Sequence, residues 1–152
     1  MVLDGQFSIK EEDGNRFLEL PGSPLDTFGV LFGPSRAEGV QVQARIFATK
    51  QGRKFPVFAA GLNGGGGFKI RVAPAKKAIE LVKGEDVVKS VPFEWKSGEW
   101  TSVKLRVRKA DGGFKVEGKA WQGAAEPAEW TISADEKEAL PAGKCGVWGL
   151  PF

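Results

Sequence analysis

Apolar and polar residues alternate along several short stretches of the chain. In residues 103–107, Val, Leu and Val alternate with Lys and Arg, and the stretches 40–46, 68–72 and 114–120 show the same period of two. A strict period of two places one set of side chains in a core and the other set on the opposite face of a β-strand. The pattern therefore predicts strands whose core-facing residues include Val42, Ala44, Ile70, Leu105, Val107 and Val116.

Turn residues and one continuous apolar run complete the expected fold. Asp-Gly, which readily supplies the positive φ angles of a tight hairpin, occurs at 111–112 and at 13–14, the latter between residues 6–10 and 16–20. Residues 55–62 are apolar on both faces, as in a central strand. With about ten to twelve short strands separated by turns, we expect an all-β fold. The expected architecture is a two-sheet antiparallel β-sandwich with jelly-roll connections, forming one domain over 1–152.

One segment favours a helical turn instead of a strand. Residues 133–140 begin with Ser133, a good N-cap residue, and Glu136 stands three positions later, as in a capping box. No other segment predicts helix.

The amino-acid composition limits the possible catalytic and metal-binding chemistry more than it limits the fold class. The 152 residues are 41% hydrophobic and 27% charged, which suits one domain with its own core and excludes an apolar membrane span. The chain contains no His and no Tyr, so imidazole catalysis and His metal sites are excluded. Its one cysteine, Cys145, is expected to be a free, buried, unreactive thiol. We expect no cofactor and no metal, since no Asp cluster has the spacing of calcium ligands.

The charges do not indicate a nucleic-acid partner. The formal net charge is +3, and no run of five like charges occurs. A basic stripe of Lys104, Arg106, Arg108, Lys115 and Lys119 crosses one expected hairpin. We interpret it as a solvated face, with an anion-binding surface as the alternative.

Two segments carry a resemblance to a known superfamily. Residues 98–107 read Gly-Glu-Trp-Thr-Ser-Val-Lys-Leu-Arg-Val, and residues 143–150 read Gly-Lys-Cys-Gly-Val-Trp-Gly-Leu. Together with residues 39–45, 60–62 and 67–72 they follow the order of the concanavalin A-like lectin/glucanase superfamily. The chain most resembles its laminin G-like and 3-keto-disaccharide hydrolase-type bacterial domains.

The resemblance carries expectations about context. Such domains occur in periplasmic and secreted proteins, so it implies an extracytoplasmic location, although the chain begins without a recognisable signal peptide, which is either absent or already removed. Members usually continue past the equivalent of residues 151–152 into another strand that pairs near the N-terminus. Without that strand, we expect an open sheet edge beside residues 6–10, or a strand-mediated contact between copies there.

The glucanases of the superfamily use a Glu-x-Asp-x-x-Glu strand, and this chain has none. Residues 11–13 supply Glu-x-Asp, but position 16 is Arg. Catalysis by paired carboxylates is therefore not expected. The first functional hypothesis is a non-catalytic carbohydrate- or ligand-binding module of a larger protein. A protein-interaction or structural domain is the alternative, and a sugar-processing hydrolase of the 3-keto-disaccharide hydrolase type is the third.

Outward polar residues and one tryptophan are the candidate ligand contacts. Trp121 falls in register with polar neighbours and can stack a sugar ring if residues 127–130 do not fold over it. Trp100 is expected to pack in the core, and Trp148 is expected to be structural. The glycine-rich loop that begins at Asn63 can rim a groove. The candidate ligand-binding residues are Gln43, Arg45, Asn63, Lys69, Arg71 and Trp121.

Overall fold

The computed structural model describes residues 1–4, 6–20 and 27–151. Thirteen strands and one short 3-10 helix, Pro74–Lys76, make up the described part of the chain. The strands are β1 (Val2–Asp4), β2 (Ser8–Glu12), β3 (Asn15–Glu19), β4 (Phe28–Arg36), β5 (Val40–Phe47), β6 (Val57–Gly61), β7 (Phe68–Ala73), β8 (Ala78–Lys83), β9 (Asp86–Pro92), β10 (Trp100–Ala110), β11 (Gly113–Gln122), β12 (Ile132–Glu136) and β13 (Gly143–Leu150).

Two antiparallel sheets form a β-sandwich, as the alternation predicts. A seven-stranded sheet has the order β1-β4-β13-β6-β7-β8-β9, and a four-stranded sheet has the order β12-β11-β10-β5. Strand β6, the apolar run of the sequence, lies between β13 and β7 inside the larger sheet. No helix within the described ranges is long and apolar enough to cross a membrane.

The core lies between the two sheets, and the predicted register is confirmed. Of the residues expected to face it, Ala44 is partly buried and the other five are buried. Gly118 in β11 brings the sheets together, because a Cβ there would lie 2.9 Å from Ile70 Cδ1. Each predicted strand therefore directs its alternate residues outward, and these outward residues build the surfaces described below.

The helical turn expected over 133–140 is wrong. Residues Ile132–Glu136 form strand β12, which pairs with β11 at the edge of the four-stranded sheet. Ile132 is fully buried, and Ala134 packs against the core. Burial of these two residues and the ladder hydrogen bonds outweigh the local capping preference of Ser133.

The N-terminal hairpin is confirmed, with its turn at Asp13 and Gly14, both at positive φ. Strands β2 and β3 pair only with each other within the described residues, so the other edge of β2 is open there, as expected. Strand β1 pairs with β4 at the edge of the larger sheet. Association of copies through the open edge stays a prediction.

Cys145 is a free thiol, but it is half-buried and not fully buried as expected. It contacts the core from strand β13. Burial raises the pKa of the thiol, which keeps it protonated and of low reactivity near neutral pH.

Candidate functional site

The outer face of the seven-stranded sheet carries a row of five residues that are direct neighbours across five strands. Gly29 lies opposite Trp148, Trp148 opposite Ala59, Ala59 opposite Arg71, and Arg71 opposite Glu80. Small side chains therefore stand on both sides of the tryptophan. Directly opposed side chains in a sheet are about 5 Å apart at Cβ, so Trp148 and Arg71 each stand next to Ala59. Because Ala59 carries only a methyl group, a gap remains between the indole and the guanidinium.

The Trp148 indole lies on bare backbone. A Cβ at residue 61 would be 2.9 Å from Trp148 Cζ3, and a Cβ at residue 146 would be 2.5 Å from Trp148 Cη2. Gly61 and Gly146 therefore provide the space that the ring occupies. The indole is half-buried and keeps part of its surface open to solvent.

The ammonium group of Lys69 lies over the Trp148 ring. Its Nζ is 4.8 Å from the centre of the Trp148 ring and donates hydrogen bonds to the carbonyl oxygens of Gly65 at 2.6 Å and Gly84 at 3.4 Å. Burial lowers the pKa of Lys69; the nearby Glu85 acts in the opposite direction, and Arg71 adds to the decrease. These contacts hold the ammonium group at one position over the ring.

Glu80 is an ionised carboxylate fixed between two cations. Its side chain is only 3% exposed, and Oε2 accepts from Arg71 Nε at 2.7 Å, while Oε1 accepts from Lys76 Nζ at 2.8 Å. Burial by itself would raise the pKa of Glu80, but the hydrogen bonds and charges of Lys76 and Arg71 outweigh it and lower the pKa below its ordinary value. The carboxylate in turn fixes the orientation of the Arg71 guanidinium.

These residues line an open pocket of about 740 Å³. Its floor is apolar or small, and its charged groups stand at one side. The lining includes Gly29, Val57, Ala59, Lys69, Arg71, Ala73, Lys76, Glu80, Val82, Glu85, Trp148 and Leu150. Of the predicted ligand contacts, the structure brings Lys69 and Arg71 into this pocket.

Gln43, Arg45 and Trp121 lie on the opposite side of the molecule, on the outer face of the four-stranded sheet. Ser102 stands directly between Arg45 and Trp121. A second open pocket of about 730 Å³ lies here, bounded by these residues together with Glu99, Trp100, Gly123, Ala124 and Glu126.

Of the two alternatives for Trp121, the structure shows the covered one, since the residue is only 8% exposed. The ammonium groups of Lys104 and Lys119 lie 5.6 and 5.9 Å from the centre of its ring. Both lysines bind Glu126, and Lys119 also donates to the Pro127 carbonyl at 2.6 Å. The segment that begins at Glu126 therefore folds over the tryptophan, which is the alternative that the sequence left open.

The core position expected for Trp100 is wrong. Trp100 is half-buried and lies on the outer face, in phase with Ser102 and out of phase with the buried Val103. Its ring packs against Phe47 at 5.6 Å, and the Arg45 guanidinium lies 5.2 Å from its centre. The strand simply begins one residue before its first inward position.

The basic stripe is an ion-pair network more than a solvated face. Glu117 accepts from Arg106 Nε at 2.7 Å and from Arg108 Nε at 3.0 Å. Burial would raise the pKa of Glu117, but the two arginines outweigh it and lower the pKa. Lys119 is 5% exposed and Glu117 is 7% exposed, so neither is a freely solvated charge.

Asn63 holds loops together and belongs to neither pocket. It is 5% exposed, and its Nδ2 lies within hydrogen-bonding distance of the carbonyl oxygens of Arg36, Ala37 and Pro141, at 3.1, 2.9 and 3.0 Å. Its φ angle of 64° is one that Asn tolerates better than most residues. The predicted ligand contact is therefore a structural residue.

Comparison with known proteins gives one informative match. No protein-family model matches the chain, and no curated protein matches it. Among solved structures, the chain is similar to the carbohydrate binding module CBM66 from Bacillus subtilis, with a TM-score of 0.66 and 12% sequence identity over 99% of this chain and 89% of that one. The likeness is one of fold. The chain thus shares a β-sandwich with this module.

The sequence interpretation missed Trp148 and Glu80. Strand β13 contains three glycines, so it has no clear alternation that marks Trp148 as outward. Strand β8 is almost entirely buried, and in the sequence Glu80 is an isolated charge within it. Its partner Arg71 is identified only by the pairing of β7 with β8. A carboxylate within an apolar run was the one available signal, because buried carboxylates are almost always paired.

Proposed function

We propose that the chain is a non-catalytic carbohydrate-binding module of a larger extracytoplasmic protein, and that the pocket around Trp148 holds the sugar. The observation that carries the proposal is the row across the seven-stranded sheet. There the half-buried indole of Trp148, with the Lys69 ammonium group over its ring, and a fixed guanidinium stand on either side of Ala59.

The chemistry of the pocket suits a sugar ring. The apolar C–H face of a sugar packs on an aromatic ring, while its hydroxyl groups need donors and acceptors placed around the edge. Trp148 supplies the apolar surface, and Arg71 and Lys69 supply donors at one side. The pocket volume of about 740 Å³ is within the range of about 300–1,000 Å³ that is usual for ligand pockets.

The charges favour binding over proton transfer. A general acid for glycoside hydrolysis needs a raised pKa, so that it is protonated near neutral pH. The pKa of Glu80 is lowered, and both of its oxygens already accept hydrogen bonds from cations. We therefore assign Glu80 to the positioning of Arg71 and not to chemistry on the ligand.

The shared fold supports the same class of function. The similar structure is described as a carbohydrate binding module, and it matches nearly the whole chain. The extracytoplasmic location in this proposal rests on the sequence resemblance to domains of periplasmic and secreted proteins.

Calorimetric titration with a panel of neutral and acidic oligosaccharides tests the proposal. We expect at least one saccharide to bind, and Trp148→Ala to weaken that binding at least tenfold, because the stacking surface is lost. Trp130→Ala is the matched control, since Trp130 is a half-buried tryptophan in the connection between β11 and β12, where it packs against Arg106 of the four-stranded sheet. Equal affinities of Trp148→Ala and the wild type, or no binding to any saccharide, would contradict the proposal.

A further inference from the structure

The second pocket, on the outer face of the four-stranded sheet, differs from its surroundings in one respect. Most charged side chains near it are paired: Lys104 and Lys119 with Glu126, and Arg106 and Arg108 with Glu117. Three exposed polar side chains at the pocket have no such partner. Their donors and acceptors are therefore available to a ligand.

These three residues are Gln43, Arg45 and Glu99. Within residues 1–4, 6–20 and 27–151, none of their side chains has a hydrogen-bond or ion-pair partner, and the Arg45 guanidinium lies over the Trp100 ring. Stacking on the indole limits the positions of the guanidinium, while its N–H groups remain unbonded. The Arg45 guanidinium is a fixed donor, the Glu99 carboxylate is an acceptor, and the Gln43 amide both donates and accepts.

A small residue opens the space between the walls. Ser102 stands directly between Arg45 and Trp121 across the three strands, so a small side chain lies at the floor of the pocket beside the guanidinium. This repeats the geometry of the first pocket, where Ala59 lies between Trp148 and Arg71. In both places an arginine and a tryptophan flank a small side chain.

We infer that this pocket is a second carbohydrate site, and that its ligand is a neutral saccharide. Every sugar hydroxyl both donates and accepts, which matches a mixed set of donors and acceptors. The formal charges of Arg45 and Glu99 cancel, and Glu126 is already neutralised by two lysines. A charged ligand would therefore meet no net charge of opposite sign in the pocket. The half-buried Trp100 supplies the aromatic wall.

The five tryptophans of the chain make the two sites separable by NMR. In ¹⁵N-labelled protein, each indole N–H gives its own signal, which Trp→Phe variants assign. Trp148 reports on the first pocket and Trp100 on the second. The probes are neutral gluco-, manno-, xylo- and fructo-oligosaccharides, with a sulfated oligosaccharide as the anionic comparison.

With Trp148→Ala as the background, we expect the Trp100 signal to move and saturate with at least one neutral probe. Arg45→Ala, Arg45→Lys and Ser102→Leu should each weaken that response at least tenfold, because the first two remove the planar donor and the third fills the floor. Arg16→Ala, an exposed arginine on the β2–β3 hairpin, is the control and should leave it unchanged.

The inference is wrong if no neutral probe moves the Trp100 signal, or if only the sulfated probe does so. It is also wrong if Arg45→Ala and Ser102→Leu leave the affinity unchanged. A response of Trp100 without a response of Trp148 in the wild type would overturn the proposed first pocket and leave the second standing. The failures of the two proposals are therefore distinguishable.

Discussion

At the scale of single residues, two glycines set the position of the aromatic ring in the first pocket. Trp148 lies where the side chains of residues 61 and 146 would otherwise be, so a methyl group at either position must push the ring away. The neighbours of Gly146 that would be displaced are side chains, Trp148 and Leu31. The indole surface therefore depends on residues that do not themselves touch a ligand.

Gly146→Ala should move the indole and weaken saccharide binding. Insertion of a methyl group into packed surroundings costs about 1–3 kcal/mol of stability, and the displaced ring should no longer present the same face. Chemical denaturation measures the first effect and calorimetry the second. Gly66→Ala is the control, because a Cβ there would meet nothing within 4 Å. Equal losses in both variants would contradict this account of the ring.

Glu80 should make stability depend on acid pH. Because its pKa is lowered in the folded protein, its contribution is present above the ordinary glutamate value of 4.5 and is lost as the pH falls through the folded pKa. Glu80→Gln should lower the free energy of unfolding at neutral pH by about 1–3 kcal/mol, since two cations lose their partner. The difference between variant and wild type should shrink below pH 4.5, the ordinary value.

Urea denaturation of both proteins from neutral to acid pH measures this difference. Glu117, Glu126 and Glu136 also have lowered pKa values, so the wild type loses stability in acid for several reasons. Only the decrease, at acid pH, of the stability difference between the wild type and Glu80→Gln reports on Glu80. Two curves that stay parallel over the whole range would show that its charge contributes nothing to the fold.

At the scale of strands, both pockets arise from register. A small residue of one strand lies between an arginine and a tryptophan of the two neighbouring strands, Ala59 in the larger sheet and Ser102 in the smaller. Each of these small residues lines its pocket, so the space available to a ligand depends on that one side chain.

Ala59→Leu should therefore fill the first pocket. We expect at least a tenfold loss of saccharide affinity and a loss of stability of about 1–3 kcal/mol, because Ala59 is only 4% exposed and the added carbons must displace the side chains that line the pocket. Calorimetry and thermal unfolding measure the two quantities. Undiminished affinity in a folded Ala59→Leu protein would show that the ligand binds elsewhere.

The strands and their inward faces could be predicted from the sequence, but the pockets could not. Alternation identifies Lys69 and Arg71 as outward residues, and both do line the first pocket. It does not say that β13 lies two strands from β7, which places Trp148 near them. The strand order depends on long-range pairing, which a local pattern does not contain. For the same reason the helical turn at Ser133 was wrong, since β11 decided the conformation there.

Asn63 links three segments of the chain, and its amide should matter more than its backbone conformation. Asn63→Gly keeps the positive φ angle and removes the hydrogen bonds to Arg36, Ala37 and Pro141. We expect it to lose about 1–3 kcal/mol of stability, because the three partly buried hydrogen bonds to these carbonyl oxygens are lost. Asn63→Asp should be at least as unstable, since it places a carboxylate against the same carbonyls. Denaturation midpoints close to the wild type would contradict this role.

At the scale of the whole molecule, the two pockets lie on the outer faces of the two packed sheets and open in opposite directions. A domain with one polysaccharide chain bound on each side would link the two chains to each other. Multivalent binding of this kind raises the overall affinity for a polymer above that for a short oligosaccharide. Addition of the wild type to a long neutral polysaccharide should therefore increase light scattering, because each domain links two polymer chains. Ala59→Leu and Ser102→Leu each lack one site and should not increase it. Equal scattering by all three proteins would argue against two working sites.

A crystal structure of the domain with a bound oligosaccharide tests the central claim most directly. We predict a sugar ring in van der Waals contact with the Trp148 indole, about 3.5–4.0 Å between carbon atoms. Its hydroxyl groups should accept hydrogen bonds from Arg71 and Lys69, with Glu80 still bound to Arg71. A saccharide that binds in solution but leaves the pocket above Ala59 empty in the complex would contradict the account.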